Sequence, residues 1–271
     1  MTTAQQALMS AIRTAISNHP RSLQTRIGPS EVGNPCDRRI GYTLLGTPKR
    51  ERGDAWKPTV GTAVHTWLAD ALDADDTTRV IDAGGMIADA QLTWLTEQTV
   101  TVGYLDDGTP ITGSFDAYHQ PTGTVIDHKI VGVASLRDKK ANGPGQQYRT
   151  QAHLYGAGLL MAGHPVTTVA INFLPQNGNL TDGHWWSEPF DISVAAAAIT
   201  RLRTIHAHIS STGSVEGLTA REAWCSFCPF HSPGSTDLQA GCPGLSDPPG
   251  RGGFASMVED TTTQHTTRRT T

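Results

Sequence analysis

Residues 111–131, ITGSFDAYHQPTGTVIDHKIV, decide the reading of this chain. Two runs of strand character, Ile111 to Tyr118 and Thr124 to Val131, flank His119-Gln120-Pro121-Thr122-Gly123, whose Pro and Gly mark a turn, so the spacing predicts a hairpin. Strand side chains alternate between faces. Ser114, Asp116 and Tyr118 therefore share one face of the first strand, and Val125, Asp127, Lys129 and Val131 one face of the second. Two carboxylates and an amine in a half-buried sheet are costly unless they neutralise one another or hold a cation. The pattern predicts a metal site.

Outward from the hairpin, Thr99 to Leu105 reads as a further strand, joined through Asp106-Asp107-Gly108, which makes an antiparallel meander of three strands. Glu97 stands at its start as a further acidic candidate, although a glutamate at a strand edge is usually solvated. Upstream, Thr59 to Leu72 has helical periodicity, with Val60, Val64, Trp67, Leu68 and Leu72 on its apolar side. Gly61 and His65 share a face there, and by spacing alone that histidine is more often a packing or surface residue than a ligand. Downstream, LRDKKANGPGQQYR reads as a Gly/Pro loop carrying a local basic patch of Arg137, Lys139, Lys140 and Arg149. A helix from about Gly145 to Met161 follows, with Gln147, Gln151 and Tyr155 in one polar stripe. Val166 to Leu174 and His184 to Phe190 read as two more strands, and Asp191 or Ser193 as the cap of a helix through Ala195 to Ile209.

At 271 residues the chain can bury one sizeable core. No run of the sequence is long and apolar enough to span a bilayer, and Met1 to Ser17 lacks the pattern of a signal peptide, so a soluble, cytoplasmic protein is expected. The formal net charge of -4 gives no global attraction to nucleic acid; DNA binding would need a local basic groove or metal ions. Leu8, Ile12 and Ile16 predict an amphipathic packing helix within residues 1–27. Residues 28–245 are read as the folded domain. From Ser246 to the end the chain is too poor in apolar residues to fold by itself.

Four cysteines remain: Cys36, Cys225, Cys228 and Cys242. In a reducing compartment a Cys-x-x-Cys pair with two further cysteines reads as a metal or iron–sulfur site rather than disulfides, and four thiolates suit either zinc or a [4Fe-4S] cluster. Joining Cys36 to the Cys225 region would tie together segments separated by most of the domain.

Taken in order, Gly61-Thr62-Ala63-Val64-His65, Gly113-Ser114-Phe115-Asp116, Asp127-His128-Lys129 and Gln151-Ala152-His153-Leu154-Tyr155 resemble the four motifs of the RecB-like branch of the PD-(D/E)xK nuclease superfamily. Each fragment is weak alone; their joint occurrence in the family's order is specific. With the cysteines, the chain is most similar to the CRISPR-associated Cas-four exonucleases, a family with phage-encoded members, and to AddB-type nuclease domains. The resemblance covers about Ser30 to Gly244. It departs where Ala69 replaces an acidic residue, with Asp70 one step on, and where thirteen residues separate Cys228 from Cys242.

The resemblance implies an α/β fold with a restriction-endonuclease-like mixed β-sheet flanked by helices, and an iron–sulfur clasp of Cys36, Cys225, Cys228 and Cys242 joining the N- and C-terminal segments. It implies Mg2+ or Mn2+ held by His65, Asp116, Asp127 and the backbone carbonyl of His128, with Lys129 as the catalytic amine. It implies that Gln151 and Tyr155 position the DNA strand, and the basic loop adds Arg149, Lys139 and Lys140 as expected DNA contacts. The expected activity is that of a DNA exonuclease on single-stranded or end-exposed DNA, working with recombination or repair proteins. The alternative is a non-catalytic DNA-binding module with a zinc or iron–sulfur site; a redox protein, lacking any motif for a second cofactor, ranks below both.

Overall fold

The computed structural model describes residues 3–18, 26–50, 56–87, 91–221 and 225–245; the C-terminal tail from Ser246 lies outside them. In chain order the elements are α1 (Thr3–Ser17), α2 (Pro29–Val32), α3 (Asp37–Leu44), α4 (Trp56–Asp82), β1 (Trp94–Thr96), β2 (Thr99–Tyr104), β3 (Pro110–Ser114), β4 (Ala117–His119), β5 (Thr124–Val131), α5 (Val133–Asn142), α6 (Gln146–Met161), β6 (Thr168–Pro175), β7 (His184–Pro189) and α7 (Ile192–Thr212). The result is a mixed α/β architecture. A five-stranded sheet runs in the order β1-β4-β5-β6-β7, and β2 and β3 form a two-stranded sheet beside it.

Only β5 and β6 run parallel within the large sheet; the other pairs are antiparallel. Parallel neighbours need a long crossover, and the segment 132–167 with α5 and α6 provides it. Helix α6 is the centre of the molecule: each residue from Thr150 to Leu159 is buried. It covers the sheet face that carries Val125, Val169, Ile171 and Phe173. On the opposite face Ala117, Ile126 and Ala170 pack under Leu72 of α4 and Trp94. Asp191 caps α7 as expected, accepting a hydrogen bond from the Ser193 amide at 2.9 Å.

Four expectations are corrected. The three-strand meander is present but broken: its first two strands, with β1, form one long hairpin bent in the middle, and only the β4 end pairs on to β5. Thr96 pairs with Ala117 and Thr99 with Ser114, in one continuous register, yet the strands break between these pairs and resume in different sheets. Glu97 adopts a φ of 47° at the bend, a conformation that a non-glycine residue rarely takes. Helix α4 extends well beyond Leu72, and Trp67, expected on its apolar side, is 66 % exposed. The basic loop is largely helical, because α5 continues to Asn142. Finally, α1 is a helix but buries none of its residues, so it does not act as a packing element. Among the described residues no helix is long and apolar enough to cross a membrane.

Candidate active site

The bend in the hairpin builds the site. Carrying the register through it puts Glu97 directly across from Asp116, and the Glu97 amide donates to the Asp116 carbonyl at 3.2 Å. From α4, His65 reaches the same point, with its Nδ1 at 3.2 Å from Asp116 Oδ1 and 4.0 Å from Glu97 Oε1. Ligand atoms of His65, Glu97 and Asp116 lie within 4.8 Å of one another, a set of hard oxygens and one imidazole that suits a divalent cation. The glycine of the 113–116 motif is required by packing: a Cβ on Gly113 would come within 2.6 Å of Pro29 of α2 and 3.2 Å of the Tyr155 ring.

One strand further in, the register places Asp127 opposite Asp116, since Ala117 pairs with Ile126. Asp127 is 1 % exposed. Its Oδ1 accepts from Gln151 Nε2 at 3.0 Å, and its Oδ2 lies 2.5 Å from Lys129 Nζ without a hydrogen-bonding orientation. Asp116 Oδ2 accepts from the His128 amide at 2.6 Å, which locks β4 against β5 at the site.

These neighbours set the protonation states. Burial pushes the Asp127 carboxyl up to about 6; Lys129 opposes this, while Asp116 adds to it. Burial also acts to raise Asp116, but the hydrogen bond and charge of His65 outweigh it and hold Asp116 below its ordinary value. For His65 burial disfavours the charged ring, and the hydrogen bond to Asp116 more than compensates, so its pKa is raised. Burial disfavours the Lys129 ammonium too, yet the two aspartates keep it charged. His128, on the opposite face of β5 from Lys129, is pushed down to about 4 by burial. Its Nδ1 lies 3.3 Å from the Asn172 amide nitrogen, and its Nε2 is buried without a partner.

His65, Asp116, Asp127 and Lys129 thus come together, and two changes to the expected set follow. Glu97 enters it. The turn at Asp106-Asp107-Gly108 alone would set Glu97 opposite Ala117, and a bulge between Thr101 and Gly103 shifts the register by one residue to bring Glu97 across from Asp116. The stripe of Gln151 and Tyr155, expected to face DNA, is turned inward, with exposures of 5 % and 6 %, because α6 lies across the sheet as a core helix. Of the expected basic contacts, Arg149 is paired with Glu188 at 2.5 Å, Lys139 with Asp138 at 2.8 Å, and Lys140 donates to the Asp182 carbonyl at 2.7 Å. Glu188 also bonds the buried His153 Nε2 at 2.6 Å, so Arg149 belongs to a network joining α6 to β7.

Cys36, Cys225, Cys228 and Cys242 line one small cavity of about 20 Å3 with Arg39 and His231. All four thiols are free, with Cys36 and Cys242 buried. No three of their sulfurs lie within 4.8 Å of one another. A tetrahedral zinc ion with bonds of about 2.3 Å would draw four sulfurs to about 3.8 Å apart, so the set as it stands is too open for a closed zinc site. A tight cysteine cluster is therefore not formed in this structure. Burial pushes the Cys228 thiol up.

No family model matches the chain, and no curated protein matches it. Among solved structures it is similar to that of SSO0001, at 16 % identity over 84 % of this chain and 95 % of that one, with a TM-score of 0.48. It is similar to an alkaline exonuclease, LHK-Exo, from Laribacter hongkongensis, at 11 % identity over 74 % and 93 % of the two chains and a TM-score of 0.42. A phage-related exonuclease from Haemophilus somnus 129PT follows at 13 % identity over 55 % and 74 %, with a TM-score of 0.31. The structural neighbours of this mixed α/β chain thus include exonucleases, at low identity.

Proposed function

We propose that the chain is a metal-dependent DNA nuclease of the RecB-like PD-(D/E)xK kind, an exonuclease acting on single-stranded or end-exposed DNA in recombination, repair or phage DNA processing. The observation that carries this reading is the meeting of His65, Glu97 and Asp116 beside the buried pair of Asp127 and Lys129. A structural ion pair needs neither the histidine nor the second pair of acids.

The donor set fits Mg2+ or Mn2+, with His65 tilting the preference towards manganese; Asp127 joins the set through the oxygen that now faces Lys129. A divalent cation there supplies Lewis-acid polarisation of a phosphoryl oxygen and lowers the pKa of a bound water. Asp116 and Glu97 would supply the negative charge that retains it; before a cation binds His65 holds Asp116 ionised, and in the loaded site its neutral ring would be a donor to the cation. Lys129, two residues from Asp127 and on the same face, donates a hydrogen bond to the attacking water or to the phosphoryl oxygen that gains charge. Gln151 holds Asp127 in place for both.

The four cysteines are the proposed ligands of a [4Fe-4S] clasp. This assignment rests on the motif resemblance, and the fact that all four cysteines line one cavity is compatible with it. The clasp would join α3, which begins next to Cys36, to the C-terminal segment.

Incubation of purified, metal-reconstituted protein with end-labelled single-stranded DNA, in Mn2+ and in EDTA, tests the proposal. Metal-dependent shortening of the label that Lys129→Ala abolishes is expected. A retarded but intact band in Mn2+ would instead favour the DNA-binding module.

A further inference from the structure

Lys129 has a second neighbour that none of the sequence motifs contains. Its Nζ lies 5.1 Å from the centre of the Tyr148 ring, on the ring's face. The ring also packs against Phe173, with centroids 6.2 Å apart and planes at 50°, and Phe173 is fully buried. Phe173, on β6, pairs with Lys129 of β5 and with His184 of β7, and it stacks on the His184 ring at an interplanar angle of 15°. Tyr148 therefore touches both the amine and the sheet's aromatic row.

Tyr148 precedes Gln151 by three residues, so the two lie on one face of α6 a single turn apart. Across from them, Asp127 and Lys129 lie on one face of β5. Helix α6 thus grips both members of the strand motif, with Gln151 bonded to Asp127 and Tyr148 under Lys129. We propose that Tyr148 is a positioning residue, its ring face holding the Lys129 ammonium at the site so that the amine meets the reacting phosphate in one orientation. Lysine has a flexible stem with several rotatable bonds, and the single contact to Asp127 does not fix its direction. A ring face attracts the cation and supplies a second point of restraint.

The inference rests on the nuclease reading above, and its test separates the two. In protein labelled with 13C at the lysine ε-carbons, the Lys129 ε-methylene protons, assigned by their loss in Lys129→Arg, should be shifted upfield by the ring current. The shift should persist in Tyr148→Phe and vanish in Tyr148→Leu. In single-turnover DNA cleavage, Tyr148→Leu should be slower by about 5- to 30-fold with DNA affinity unchanged, whereas Tyr148→Phe should stay close to wild type. Absence of the upfield shift in the wild-type protein overturns the placement. A Tyr148→Phe variant as slow as Tyr148→Leu overturns the role of the ring face, and a Tyr148→Leu variant as fast as wild type overturns the positioning role. If the wild-type protein shifts the signal and cleaves no DNA, the nuclease reading fails, and the positioning role fails with it.

Discussion

Gln151, in the middle of the buried helix α6, donates a hydrogen bond of 3.0 Å to Oδ1 of Asp127 on the central strand. With 5 % of its surface exposed, Gln151 acts on the site through that carboxylate. Gln151→Leu should therefore lower the cleavage rate by about 10-fold or more, as expected for loss of one hydrogen bond to a charged group, with DNA affinity unchanged. Fluorescence anisotropy with labelled DNA in Ca2+, beside single-turnover cleavage in Mn2+, separates the effects. A loss confined to affinity would return Gln151 to a DNA-contacting role.

Glu97 enters the site through its register with Asp116. Glu97→Gln and Asp116→Asn should each weaken Mn2+ binding, by about 10- to 100-fold, as changes around metal sites commonly do. Isothermal titration calorimetry reads this directly. Unchanged Mn2+ affinity in Glu97→Gln would show that Glu97 is no ligand.

Asp76 is the one buried residue of α4 and lies away from the chemistry. It accepts the amides of Thr93 at 2.9 Å and Trp94 at 2.9 Å and pairs with Arg79, which pins the start of β1 to the helix. Burial acts to raise its pKa, but the two amides and Arg79 outweigh it, so the folded value is depressed. A depressed carboxylate contributes stability that is fully present above its unfolded pKa of about 3.9 and is lost as pH falls through the folded value. Asp76→Ala should cost about 1–3 kcal/mol at neutral pH. The gap in Tm between variant and wild type should narrow below about pH 4, and a gap independent of pH would contradict the assignment.

Cys36 is buried at the N-terminal side of the cysteine cavity, its amide bonded to Asn34 Oδ1 at 3.0 Å. Cys36→Ala should abolish the visible absorbance and iron content of anaerobically purified protein and lower its Tm, while the His65, Glu97 and Asp116 set still binds Mn2+. Zinc rather than iron in elemental analysis of the wild-type protein would refute the iron–sulfur clasp.

Local pattern was enough for much of the fold. The span of β5 was read correctly to the residue, since a short run rich in β-branched residues is bounded by Gly123 and Gly132. Asp191 was legible as a cap because capping is a contact over two residues. The bend at Glu97 was not legible: a strand that changes sheets keeps its alternation, and the turn shows only in the positive φ of Glu97 and the split of the pairing between two sheets.

By itself the sequence named the candidate side chains and placed His65 on a helix, Asp127 and Lys129 on one face of a strand, and four thiols at the two ends of the domain, while Asp116, expected on a strand, sits at the bend between β3 and β4. Tertiary structure alone decided the company they keep. It brought Glu97 to the metal set, turned Gln151 and Tyr155 into the core and put the Tyr148 ring under Lys129. The physical reason is range: alternation and helical period act over a few residues, whereas the direction in which α6 crosses the sheet and the bend that brings Glu97 and Asp116 to His65 are settled by burial of apolar faces far apart in the chain.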